Sequence, residues 1–277
     1  MLRNQFSLMI RRHEFQFSFL FVVLVSFIYP ISLVYGHLTD GKDIGTLMDP
    51  RYAFIGYRYS DVWYYMYMYF PLILMFPFAY SYAVDKRTNY DSVMISRSGI
   101  RKYLFSKAYC CLIGGFIITF TPAILNMLVN TLFLPYTETD IVNSLTDAIL
   151  DFRNDRYFAR KSYDAYLWLV HPQFCFLLSS FRIGVLGATF SLVIYVISML
   201  IKNLRIFYFS VVPVLLFFVI SHRLQDNNGA AFCIDILEYA FAGSYITYYP
   251  VFFWGICAFL ILLSFVIINR ISKKDQI

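Results

Sequence analysis

The densest group of chemically capable side chains lies between residues 85 and 107, D-K-R-T-N-Y-D-S-V-M-I-S-R-S-G-I-R-K-Y-L-F-S-K. Asp85 closes one apolar run. A short apolar turn, Ser92–Ser96, follows. Arg97-Ser98-Gly99-Ile100-Arg101-Lys102-Tyr103 comes next, and Lys107 opens another apolar run. Carboxylates beside Lys and Arg form ion pairs, and the bases hold anions. At minimum, the six basic residues of this segment set the orientation of the flanking runs.

The parts of a catalytic centre are missing from the sequence. It contains no G-x-x-x-x-G-K-[ST], so a P-loop cannot bind nucleotide on this chain. It contains no H-E-x-x-H. The four histidines, His13, His37, His171 and His222, all fall at the edges of apolar runs or between them. An intramembrane metalloprotease needs ligands near the bilayer centre. Proton-coupled carriers carry intramembrane carboxylates, and no Asp or Glu lies within an apolar run here. The expectation is a protein that is not an enzyme and holds no metal or cofactor of its own. Any energy it uses comes from another subunit.

The elements that position these residues are apolar. Six uncharged runs stand out: Phe15–Tyr35, Val62–Val84, Ala108–Leu134, Ile183–Ile201, Ile206–Ser221 and Val251–Ile268. A helix needs about 20 apolar residues to cross a bilayer core. The 277-residue chain is 60% hydrophobic, 21% aromatic and 14% charged. Soluble domains carry about 25% charged residues. The expected fold class is all-α: a polytopic membrane protein with six transmembrane helices, forming one domain over 1–277. The first run is too long for a signal-peptide core and no A-x-A-like site follows it, so it reads as a retained span.

Placing the amino terminus inside puts fourteen Lys and Arg on inner segments and eight on outer loops, whereas acidic residues run the other way. Both termini are then cytoplasmic. The net charge of +6 reads as a topology and lipid-surface signal, not a nucleic-acid one. Of the five cysteines, Cys175 and Cys233 fall outside, where a disulfide between them stands as one option beside simple apolar filling.

Residues 1–14 fit a short interfacial helix, with Leu2, Phe6, Met9 and Ile10 toward lipid and the arginines toward phosphate. Tyrosines and Trp63 at the start of the second run suit an aromatic belt, or else a conduit lining. Asn126 and Asn130, four apart, suggest helix–helix contact, with substrate contact as the alternative. Residues 135–182 form a long external loop. In it Phe174–Ser180 reads as an interfacial piece, Arg182 snorkels at the outer surface and span four begins at Ile183. The competing reading buries Arg182 as a functional charge. Residues 222–249 read as an external re-entrant segment.

The inner segment 85–107 resembles that of ABC-2 type exporter permeases. That family commonly shows an acidic and a basic residue, a short helix, an arginine–small–basic–tyrosine stretch and a lysine opening span three. Asp85 stands where the family more often has glutamate; Arg97, Arg101, Tyr103 and Lys107 occupy matching places. The six spans, the inner termini, the amphipathic start and the Lys202-Asn203 turn extend the resemblance over nearly the whole chain.

The resemblance implies a permease subunit paired with a second copy or paralogue, above a cytosolic P-loop ATPase that holds ATP and Mg. A coupling helix at about 88–96 would dock on the ATPase. Asp85, Arg87, Asn89, Asp91, Ser92, Met94, Arg97, Arg101 and Lys102 would transmit its closure, and Asp85 would pair with a basic residue to fix the exit angle. Cargo would pass outward along Tyr67, Phe70, Met75 and Phe78 on span two and Phe209, Val212 and Phe217 on span five. Their character favours an amphipathic or hydrophobic cargo, peptide- or lipid-like. The expected location is the plasma membrane of a bacterium, with lipids as neighbours and no nucleic acid. The alternative is a non-transporting anchor, assembly factor or immunity protein, which needs no coupling segment.

Overall fold

The computed structural model describes residues 1–39, 54, 79, 81–133, 167, 171–201 and 250–274. Spans two and five lie almost wholly outside these residues. So do all seven conduit candidates (Tyr67, Phe70, Met75, Phe78, Phe209, Val212 and Phe217), Cys233 and the segment 222–249.

The described residues are nearly all helical and contain no strand. In chain order the helices are α1 (Leu2–Arg11), α2 (His13–Thr39), α3 (Ser81–Arg87), α4 (Tyr90–Ser98), α5 (Ile100–Phe133), α6 (Pro172–Leu200) and α7 (Pro250–Lys274). Four of them, α2, α5, α6 and α7, are long and apolar enough to cross a membrane.

α6 is the hub. Of its apolar window 78% is buried, against 22% for that of α7. A helix that is apolar all round belongs in an interior, and α6 carries the small residues that let neighbours approach: Ser179, Ser180, Gly184, Gly187, Ala188 and Ser191. Its broadest packing is against α5. The two run antiparallel. Gly115 faces Gly187, and Tyr195 donates from its hydroxyl to the Leu104 carbonyl at 3.2 Å. A Cβ on Gly115 would lie 2.5 Å from the Gly187 carbonyl oxygen and 2.6 Å from the Ser191 Cβ. The glycine therefore sets the helix separation, as small residues do where apolar helices pack in lipid.

α7 leans on the same pair. Phe265 stacks on Phe105 with ring centroids 5.8 Å apart, and Trp254 lies 6.0 Å from Phe181. α2 is tied to α5 by Asn126, whose amide donates to the Ser26 carbonyl at 3.1 Å, and Asn130 donates to Asn126 at 3.1 Å. Both asparagines are fully buried. The Asn126–Asn130 face is thus helix–helix glue.

Several sequence expectations change. Span four does not begin at Ile183 after a separate interfacial piece. One unbroken helix of 29 residues starts at Pro172, with proline in the first turn, where its missing N–H costs nothing. The loop expected to reach residue 182 therefore stops short of Pro172. Arg182 does not snorkel at the surface: it is 5% exposed, inside α6. At about 43 Å, α6 exceeds the roughly 30 Å of a bilayer core, a length that tilt absorbs.

Span three likewise begins earlier than Ala108. α5 starts at Ile100, so Lys107 sits two turns inside a 34-residue helix. At the amino terminus, Met9 turns to the protein, fully buried over Gly114, while Leu2, Leu8 and Ile10 remain 40–44% exposed. The expected apolar face of α1 is therefore divided between α5 and the surroundings.

Charge is segregated. α1, α3, α4, the start of α5 and the end of α7 meet at one end of the bundle. Every Lys, Arg, Asp and Glu of the seven helices except Arg182 belongs to that end.

Candidate functional site

At this basic end a buried ion-pair network joins α3 to α5. Asp85 lies in the last turn of α3, where the helix dipole disfavours a carboxylate. Cations offset that cost. The Lys107 ammonium donates to Asp85 Oδ2 and, at 3.2 Å, to Ser81 Oγ. The Tyr103 hydroxyl donates to the same Oδ2 at 2.6 Å. Arg12 approaches the other oxygen, with Nη2 3.4 Å from Oδ1. Asp85 is 3% exposed, Lys107 1% and Tyr103 0%.

Sequence spacing explains the arrangement. Residues four apart share a helix face. Ser81 and Asp85 are such a pair on α3, and Tyr103 and Lys107 are such a pair on α5. The two faces interlock, and the Lys107 ammonium also sits 5.1 Å from the Tyr103 ring centroid. Two ions taken out of water cost several kcal/mol each, so the site stands only because each charge meets its partner and further hydrogen bonds.

The chain then turns sharply into α4. Thr88 donates from Oγ1 to the Val84 carbonyl at 3.1 Å, and Asn89 follows with φ of 54°, in the left-handed region that Asn tolerates. Ser92 Oγ donates back to the Asn89 carbonyl at 2.7 Å. Gly99, with φ of 78°, ends α4, and its N–H donates to the Ile95 carbonyl at 2.8 Å. A Cβ at Gly99 would meet nothing within 4 Å, so the requirement for glycine is one of backbone conformation alone.

Between these two corners α4 is two-sided. Asp91, Met94, Ile95 and Ser98, at helical spacing, are half-buried, and Met94 and Ile95 pack on the core. Tyr90, Val93 and Arg97, also at helical spacing, form the outer stripe, with Tyr90 and Val93 38% and 45% exposed.

The residues singled out in the sequence separate accordingly. Asp85 is the centre of the buried network, and Asn89 is the corner. Asp91 and Met94 lie on the inner side of α4. Arg87, Ser92, Arg97, Arg101 and Lys102 are exposed, with the Arg101 guanidinium 5.8 Å from the Phe105 ring centroid. A short helix is present, spanning Tyr90–Ser98, two residues beyond the expected 88–96.

Arg12 and Ser81 were missed. The four-residue spacing to Asp85 could have pointed to Ser81. Nothing local in the sequence joins Arg12 to a carboxylate 73 positions away. Among the described residues no cluster of His, Cys, Asp and Glu could hold a metal ion.

No protein-family model, no curated protein and no solved structure matches this chain. What the geometry defines, among the described residues, is a nearly all-helical arrangement with four helices of membrane-spanning length and polarity. At its basic end a surface helix is pinned to the bundle by a buried ion-pair network.

Proposed function

We propose that this chain is the membrane-spanning permease subunit of an ABC exporter of the ABC-2 type. In this reading it has six spans, with both termini and the basic end in the cytoplasm of a bacterial plasma membrane. Two copies, or this chain and a paralogue, pair around a conduit. A cytosolic P-loop ATPase binds α4 and supplies ATP hydrolysis with its own Mg, and the cargo is amphipathic or hydrophobic, peptide- or lipid-like.

The observation that carries this reading is the mounting of α4. The helix buries none of its nine residues fully, yet it is held between a buried Asp85–Lys107–Tyr103 network and a glycine corner. An exposed helix on rigid mounts can pass a push from a cytosolic partner into α3 and α5. Its outer stripe of Tyr90, Val93 and Arg97 combines an aromatic, an aliphatic and an arginine, residue types suited to a protein interface.

The test is to extract the tagged protein from its native membrane in mild detergent and identify what co-purifies. A P-loop ATPase in stoichiometric amount, lost when Tyr90, Val93 and Arg97 are all replaced by serine, supports the permease reading. A clean preparation, under conditions that preserve a control ABC complex, contradicts it and favours an anchor or immunity protein.

A further inference from the structure

Pro30 lies inside α2 and is buried. Proline has no N–H, so the carbonyl four residues earlier loses its donor within the helix. In α2 that carbonyl belongs to Ser26. It is the same carbonyl to which the Asn126 amide donates from α5, at 3.1 Å. Asn126 therefore supplies, from a neighbouring helix, the hydrogen bond that Pro30 withholds. Prolines inside apolar helices are tolerated where a neighbour satisfies the freed backbone group in this way.

The amide is oriented for this contact. Asn130 Nδ2 donates to Asn126 Oδ1 at 3.1 Å, which leaves Asn126 Nδ2 directed at α2. Ser26, Asn126 and Asn130 are all fully buried, and a buried carbonyl left without a donor is costly. The helix is also weakened on both sides of Pro30. Ser26 donates from Oγ to the Val23 carbonyl at 2.6 Å, and Ser32 donates to the Tyr29 carbonyl at 2.8 Å. Serines that bond back to their own helix favour bending. Burial changes at the same point. Val22, Ser26, Tyr29 and Pro30 are buried up to the break, whereas the described side chains beyond it, Ile31, Ser32, Tyr35 and Thr39, are exposed.

We propose that Asn126 is a latch on a proline hinge in α2: its amide stands in for the N–H that Pro30 lacks, and α2 bends at Pro30 when that bond opens. Asn130 is the positioning residue of the latch. The hinge lies away from the basic end, so this inference goes beyond the export reading and does not depend on an ATPase.

The test is a double-variant cycle on the full-length protein in detergent, read as the unfolding equilibrium in denaturant. Pro30→Ala gives α2 its own donor to the Ser26 carbonyl. Asn126→Leu, close in volume, removes the amide. Asn126→Leu raises the unfolding constant about ten-fold more with proline at position 30 than with alanine, the effect of stranding one buried carbonyl. The Asn130 bond and every other contact of Asn126 are lost in both backgrounds and cancel. Spin labels in place of Tyr35 and Leu132, which are 69% and 78% exposed toward the ends of α2 and α5, read the hinge. Their distance distribution broadens in Asn126→Leu and narrows again in the double variant. Should Asn126→Leu not fold alone, Pro30→Ala restores folding. Equal costs of Asn126→Leu in both backgrounds would overturn the proposal. So would a double variant that still does not fold, or a distance distribution that Asn126→Leu leaves unchanged.

Discussion

Asp85 and Lys107 are held in place by each other. Removing one partner of a buried pair strands the other, at about 3–5 kcal/mol, whereas replacing both with well-packed apolar groups is often neutral. Asp85→Leu and Lys107→Met should therefore each destabilise the protein by that amount, and the double variant should lose much less. Denaturant unfolding of the three variants in detergent checks this, and additive losses would show that the pair is not a unit. Tyr103→Phe deletes one hydrogen bond to a charged acceptor and should cost about 1.5–3 kcal/mol in the same assay. Part of this network is legible in the sequence, because the four-residue spacing of Tyr103 and Lys107 puts both on one helix face. Arg12 was not legible, since its contact depends on how α1 folds back on the bundle.

Element boundaries follow local chemistry where that chemistry is strong, as at the two corners of α4. Gly99→Ala keeps all contacts but forces alanine to φ near 78°, a strain of about 1–3 kcal/mol. The predicted result is a modest loss of stability together with faster proteolysis within α4, and unchanged proteolysis would mean that the corner does not set the helix. Gly115→Leu belongs to the α5–α6 contact and should be far more damaging, since even a Cβ there meets the Gly187 backbone. Loss of the monodisperse folded peak on size exclusion, with Gly255→Leu as an open-space control, checks it. The start of α6 was misplaced because a single span from Phe174 to Ile201 is longer than a bilayer crossing needs and carries an arginine well inside. The interior of the bundle instead accepts Ser179, Ser180 and Arg182, all of them buried, and no pattern along one helix reveals what the neighbouring helices supply.

At the scale of the whole molecule, apolar length and charge asymmetry carry the most information. Four long apolar helices were readable as runs of uncharged residues, and the gathering of basic groups at one end follows from the alternation of charged and apolar segments along the chain. Helix pairing was not readable, because close packing through Gly115 and Gly187 depends on which faces meet. The central claim is that the outer stripe of α4 meets a cytosolic ATPase while its inner side stays on the bundle. Photo-cross-linking in native membranes tests this most directly, with the reactive residue placed at Val93 or at Met94, adjacent positions on opposite sides of one helix. The account predicts that Val93 captures a P-loop ATPase and that Met94 yields only links within the chain. Capture of no ATPase from Val93, or equal capture from both positions, would contradict it.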